Sequence, residues 1–257
     1  MQPTIPFQLE SQQLFERLLG VLNFLQTEFL RVASERGVQR EDLPGALTSL
    51  AVSTIDSLKA ALLLCRYDDF QSTDAMLRRF EECFTLMLYF VLVDDGTVLT
   101  RWFAHPHLVL GESKYKIRSH VAERTKAYFS RNPGYDFKGN YDLFSRMSVH
   151  ATWESSRMAV VHAFGRYGIL NPGSQFREEV AATLHQGRAV MFLGVLGPSA
   201  SRFLEFLEKS VFSVPELADV SPGPECLKSV HEQTLQWAIQ VQPLVERMGE
   251  AATGPSL

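Results

Sequence analysis

Three successive segments at the start of the chain repeat apolar side chains at intervals of three and four, and that spacing commits them to α-helix. In the first, from Ser11 to Arg36, the stripe is Leu14, Leu18, Val21, Leu22, Leu25, Phe29 and Val32, and Gly37 closes it. Asp42 can cap a second helix, because its carboxylate can accept a free first-turn N–H, and Pro44 is tolerated only in that first turn. Leu47, Leu50, Ala51, Thr54, Ile55, Leu58, Leu62 and Cys65 carry this stripe to about Tyr67. Asp68, Asp69 and Phe70 turn the chain, and Ser72, Thr73 and Asp74 offer caps for a third helix that reaches Val93 before Asp94-Asp95-Gly96. A short connection between long helices predicts an antiparallel hairpin.

The third segment carries most of the information about a site. Past Leu77 it is apolar around nearly its whole circumference, with Phe80, Cys83, Phe84, Leu86, Met87, Leu88, Phe90 and Val91, so it is expected to be buried on all sides. Arg78, Glu81 or Glu82, Thr85 and Tyr89 form a polar stripe along the same rod. An unpaired ion in a core costs several kcal/mol, so Arg78 and a carboxylate are expected to satisfy each other or a ligand. The stripe is thus either an internal ion pair that fixes helix packing or the wall of a pocket.

Further along, short helices are expected around Val98 to Ala104 and from Tyr141 to about Thr152, with a polar, surface-exposed one from Ser113 to Ser130. Met158 to Leu170 reads equally as strand or helix and is expected to be an irregular or hairpin excursion. Beyond Asn171-Pro172-Gly173, helices are expected from Ser174 to about Leu196, from Ser199 to Phe212 after a break at Gly197-Pro198, and from Glu225 to Met248 with a bend at Pro243. Val214 to Pro224 reads as a loop. No segment repeats at a fixed period, which leaves one all-α domain over residues 1–249, an array of about seven to nine helices around the central hairpin, and a disordered tail at 250–257.

A net charge of −4 argues against bulk coating of nucleic acid or anionic membrane. The local exception is Glu112 to Lys138, with seven Lys or Arg against three acidic residues and Tyr115, Tyr128 and Phe129 among them; a solvated face is the first reading and an RNA or anion contact the second. Cys65, Cys83 and Cys226 have no paired spacing and read as reduced core thiols. Met1 to Phe7 lacks the pattern of a secretory signal, and the most apolar segment, Cys83 to Val93, is too short to span a bilayer, so a cytoplasmic protein with no membrane partner is expected.

A second group of candidates lies between Tyr141 and His150, where Ser145, Arg146, Ser148 and His150 concentrate donors beside a side chain that titrates near neutrality, with Trp153 and Glu154 just beyond. The run Ala-Met-Leu-Arg-Arg-Phe-Glu from Ala75 to Glu81, followed by Tyr141-x-x-Phe-Ser145 and Val149-His150, resembles a bacterial family of all-helical proteins known as a domain of unknown function. The resemblance covers about Ala46 to His150 and implies an all-α fold with Arg78, Glu81 and His150 as its polar positions; it implies no activity.

Arg157-Met-Ala-Val-Val-His162 has the arginine-to-histidine spacing of the HEPN superfamily and is similar to its motif, which implies a ribonuclease of a defence or toxin system acting through Arg157 and His162. Arg101 to His107 falls within the same range of four to six intervening residues, and chance alone predicts about one or two such pairs in a chain of this composition. Other chemistries lack their residues. No histidine follows a glutamate by three positions as a di-metal bundle requires, His231-Glu232 lacks a second histidine, and there is no phosphate loop, nucleophile elbow or dinucleotide fingerprint. A metal held by His105, His107, His150 and Glu154 is set aside, since a His-x-His pair around Pro106 is ordinary loop composition. The residues therefore point to a non-enzymatic module that binds a small ligand or a protein partner, without metal or cofactor. Its binding residues are expected to be Arg78, Glu81, Glu82, Tyr89, Ser145 and His150, and a homodimer could form through the apolar face of the first helix.

Overall fold

The computed structural model describes residues 5–37, 40–67, 69–94, 96–105, 120–121, 123–125, 128–129, 195–223, 225–230, 232–233 and 236. Every regular element among them is helical, and their apolar side chains form one contiguous core. The fold is an all-α array.

Helix α1 (Ile5–Arg36) ends where Gly37 takes φ +90°, a left-handed value that side chains disfavour. Helix α2 (Leu43–Arg66) begins as its local sequence predicts: the Asp42 carboxylate accepts the Gly45 N–H at 2.8 Å and Pro44 sits in the first turn. Glycine is required at 45, because a Cβ there would stand 2.2 Å from the Arg40 carbonyl oxygen. α2 returns antiparallel along α1, joined at its edges by Gln26 to Asp56, by Lys59 Nζ to Gln26 Oε1 at 2.5 Å and by Arg66 to Glu16 at 3.2 Å. The Leu14–Val32 stripe of α1 is buried in this chain's own core, so the face offered above to a second copy is already covered.

Helix α3 (Phe70–Leu92) is capped by Asp69, whose carboxylate accepts the Ser72 N–H at 3.2 Å. Ser72, Thr73 and Asp74, expected as caps, lie inside the helix; the chain needs only residues 67–69 to turn, since the Asp69 N–H already reaches the Leu64 carbonyl at 3.0 Å. α2 and α3 form the antiparallel hairpin, with Thr54 Oγ1 against Met87 Sδ at 3.8 Å. α3 is less enclosed than its composition suggests. Arg79 is exposed and Glu82 and Cys83 are half-buried, so one strip of the rod reaches the surface. Cys226 is exposed as well, leaving Cys65 as the fully buried thiol.

Helix α4 (Thr97–Ala104) follows Gly96, whose φ is +94°, and Asp94 accepts the N–H groups of Val98 and Leu99 at 3.0 and 2.7 Å. It lays Trp102 on Phe90 with ring centroids 5.5 Å apart. The stretch expected to be surface-exposed buries a face: residues 120–121 and 123–125 are helical, and Val121, Thr125 and Phe129, spaced by four, are in the core. Tyr128, half-buried, and Phe129, in the core, pack against the Phe206 and Phe84 rings, respectively.

Gly197-Pro198 does not break the chain. Residues 195–196 form a π turn that runs directly into helix α5 (Gly197–Phe206), so Pro198 follows helical backbone and the chain forgoes the one hydrogen bond its N–H would have made. All ten residues of α5 are buried. A second π turn, Leu207–Val211, extends it, and the segment read as loop contains a 3₁₀ turn, Pro215–Val220, tied to the end of α1 by Arg36 and Glu216 at 3.5 Å. Helical residues 225–230 follow, with Leu227 and Val230 in the core.

α5 meets α3 through aromatic rings. Phe84 lies 5.5 Å from Phe80, 5.7 Å from Phe203, 5.6 Å from Phe206 and 6.2 Å from Phe129, in tilted or edge-to-face geometry. α3 therefore has α2 on one side and α5 on another, the central position its sequence predicts. Among the described residues the helix with the composition and length to cross a bilayer is α2, and most of its apolar side chains pack against α1 and α3.

Candidate functional site

Between α3 and α5 the core contains charge. Glu81 on α3 is 1% exposed, and Arg202 and Glu205 on α5 are 6% and 1% exposed. The spacing explains the convergence. Positions 81 and 85 stack on one face of α3, while 202 and 205 lie three apart on one face of α5 and 209 follows in the π turn that extends it. Phe80 and Phe84 on α3 and Phe203 and Phe206 on α5 interleave with these groups, so the aromatic contacts that join the helices also place the ions.

The Arg202 guanidinium is pushed down to about 10 by burial, and the carboxylates of Glu81 and Glu205 oppose that shift. It remains a cation at neutral pH because both anions face it. Lys209 continues the cluster toward the surface: its Nζ is 2.6 Å from Glu205 Oε1, 2.8 Å from the Tyr128 carbonyl oxygen and 5.2 Å from the centre of the Tyr128 ring. Tyr128 Oη and Ser210 Oγ share a hydrogen bond of 2.6 Å. Burial raises the Tyr128 phenol, the Ser210 bond lowers it, and the negative charge of Glu205 raises it further. Carboxylates and cations thus alternate from α3 through α5 to the surface.

The expected stripe on α3 is split. Glu81 and Glu82 are about 100° apart around a helix, so they cannot share a partner on one side. Glu81 turns inward toward Arg202; Glu82 pairs with Arg78 on the flank at 3.5 Å, and both side chains of that pair retain about a third of their exposure or less. The expectation that Arg78 is the buried cation is therefore corrected: Arg202 holds that place. Tyr89 is half-buried beside Phe90, with ring centroids 6.4 Å apart. Ser145, His150, Glu154, Arg157, His162 and His107 lie outside the described residues, while His105 is exposed just after α4.

Arg202 and Glu205 escaped the reading of the sequence, although the signal that singled out α3 is repeated there: charged residues inside a segment, Phe203-Leu204 and Phe206-Leu207, that is otherwise apolar. A further crevice, open to solvent, lies where the end of α1 meets the start of α2, among Val32, Arg36, Arg40 and Thr48, with a volume of about 20 Å³, room for one water. Its arginines are engaged, Arg36 with Glu216 and Arg40 with Asp42. No group of three or more His, Cys, Asp or Glu suited to a metal ion occurs among the described residues.

Comparison of the chain with protein-family models, with curated proteins and with solved structures finds no match.

Proposed function

We propose that this chain is a non-enzymatic, cytoplasmic helical protein that binds a small ligand or a protein partner, and that the Glu81–Arg202–Glu205 cluster is where binding is registered. One observation carries the reading: a guanidinium and two carboxylates are held inside an aromatic helix interface, where apolar side chains would ordinarily pack. Buried ions of this kind fix one geometry out of several that apolar packing would accept. They also supply a bidentate donor and an acceptor that a ligand carboxylate or amine can exchange into.

The test is a thermal-shift panel of small mono- and dicarboxylates and amines on the full chain and on Arg202→Gln. The reading expects at least one compound to raise the Tm of the wild-type chain and leave that of the variant unmoved. Equal shifts in both proteins, or none in either, contradict it.

A further inference from the structure

Asp74 lies in the second turn of α3 and is 5% exposed, yet no hydrogen bond or ion pair meets it among the described residues. It sits seven residues before Glu81, hence on the same row of the helix and two turns away. Its neighbours Thr73 and Leu77 are fully buried. The charged groups around this end of the hairpin are committed elsewhere. Asp69 caps the Ser72 N–H, Arg78 is drawn to Glu82, Arg66 at the end of α2 reaches Glu16 and lies over the Phe15 ring, and Arg202 of α5 stands between Glu81 and Glu205. Of the other titratable groups at the facing end of α2, Cys65 is a buried thiol and Tyr67 is exposed to solvent.

We infer that Asp74 is a proton-linked latch on the start of α3: protonated, it rests in the core and holds the first turns of the helix closed, and ionised, it draws that segment open toward water. A neutral carboxyl is tolerated where a lone carboxylate is not, because the ion alone carries the full desolvation cost. Burial is the cause of the upward shift, which takes the carboxyl from its ordinary 3.8 to about 7. The sign follows by linkage. Opening frees the group to ionise at its ordinary value, so opening becomes easier as pH rises above about 4 and gains nothing more above about 7, by at most about tenfold per pH unit for one proton.

The experiment is amide hydrogen exchange on the full chain, expressed as protection factors so that the intrinsic pH dependence drops out, from pH 5 to pH 8. Wild-type amides of residues 73–78 are expected to lose at least about tenfold in protection between pH 5 and pH 7 and then level off, while those of residues 54–62 in α2 change far less. Asp74→Asn, which keeps the shape without the charge, and Asp74→Leu, which keeps only the apolar fill, should both hold residues 73–78 at a constant level. A flat wild-type profile overturns the inference, as does a pH-dependent loss that persists in both variants.

Discussion

Replacing Arg202 with methionine removes the cation from between two buried carboxylates and keeps most of the side-chain volume. Burial lowers the guanidinium's pKa to about 10, and the charges of Glu81 and Glu205 oppose that shift. In the variant Glu81 and Glu205 lose their shared counter-charge, and stranding one side of a buried pair typically costs about 3–5 kcal/mol. Glu205 keeps Lys209 at 2.6 Å, so Glu81 bears most of the loss. Arg202→Met is thus expected to lower stability by about 2–4 kcal/mol at pH 7. Adding Glu81→Leu should recover most of the deficit, because the pair is then replaced by apolar packing. Urea denaturation of wild type, both single variants and the double variant measures this. In Arg202→Met the stranded carboxyl of Glu81 has its pKa raised, so the deficit should be full at neutral pH and shrink as pH falls toward 4. Single-variant effects that simply add in the double variant would refute the reasoning, and so would an Arg202→Met protein as stable as wild type.

Arg78→Met should cost less than about 1 kcal/mol, since Arg78 and Glu82 form a partly solvated pair; a loss of several kcal/mol would return Arg78 to the core. Phe84→Ala removes a ring that touches four others and should cost about 3–5 kcal/mol in denaturant unfolding, more than any single substitution on the flank of α3. Asp42→Ala deletes the α2 cap and should cost about 1 kcal/mol, whereas Gly45→Ala places a Cβ against the Arg40 carbonyl and should cost more. The ribonuclease alternative is tested by incubating the chain with labelled total RNA without added metal: the account expects no cleavage, and cleavage that disappears in His162→Ala would replace the binding reading with a nuclease.

The parts of the fold legible in the sequence are those governed by neighbours within four residues. Asp42 with Pro44, the Gly37 stop and the stripes of α1 and α2 are read from local chemistry, and the antiparallel hairpin follows from the short connection at 67–69. The centrality of α3 was legible too, because apolar residues on every side of a helix leave it nowhere else to go. What failed was tertiary. Periodicity places Glu81 and Glu82 about 100° apart but does not say which of the two faces a neighbour, so Arg78 looked like the buried partner when Arg202, more than a hundred residues away, is. Gly197-Pro198 looks like a break because both residues are weak inside helices, yet Leu196 is already helical and the π turn it belongs to carries the chain through, at the cost of the hydrogen bond that Pro198 cannot make. Asp74 reads as a cap because aspartate favours that role, but Asp69 fills it, leaving Asp74 inside the helix and out of water.

The ion cluster exists only if α3 lies against α5, with Phe84 packed on Phe203 at 5.7 Å between ring centroids. Nuclear Overhauser contacts between the ring protons of these two residues, measured on the full chain, test this directly. Strong cross-peaks from Phe84 to both Phe203 and Phe206 are predicted. Their absence, with the Phe84 ring in contact with residues of α2 alone, would contradict the architecture and the ion cluster built on it.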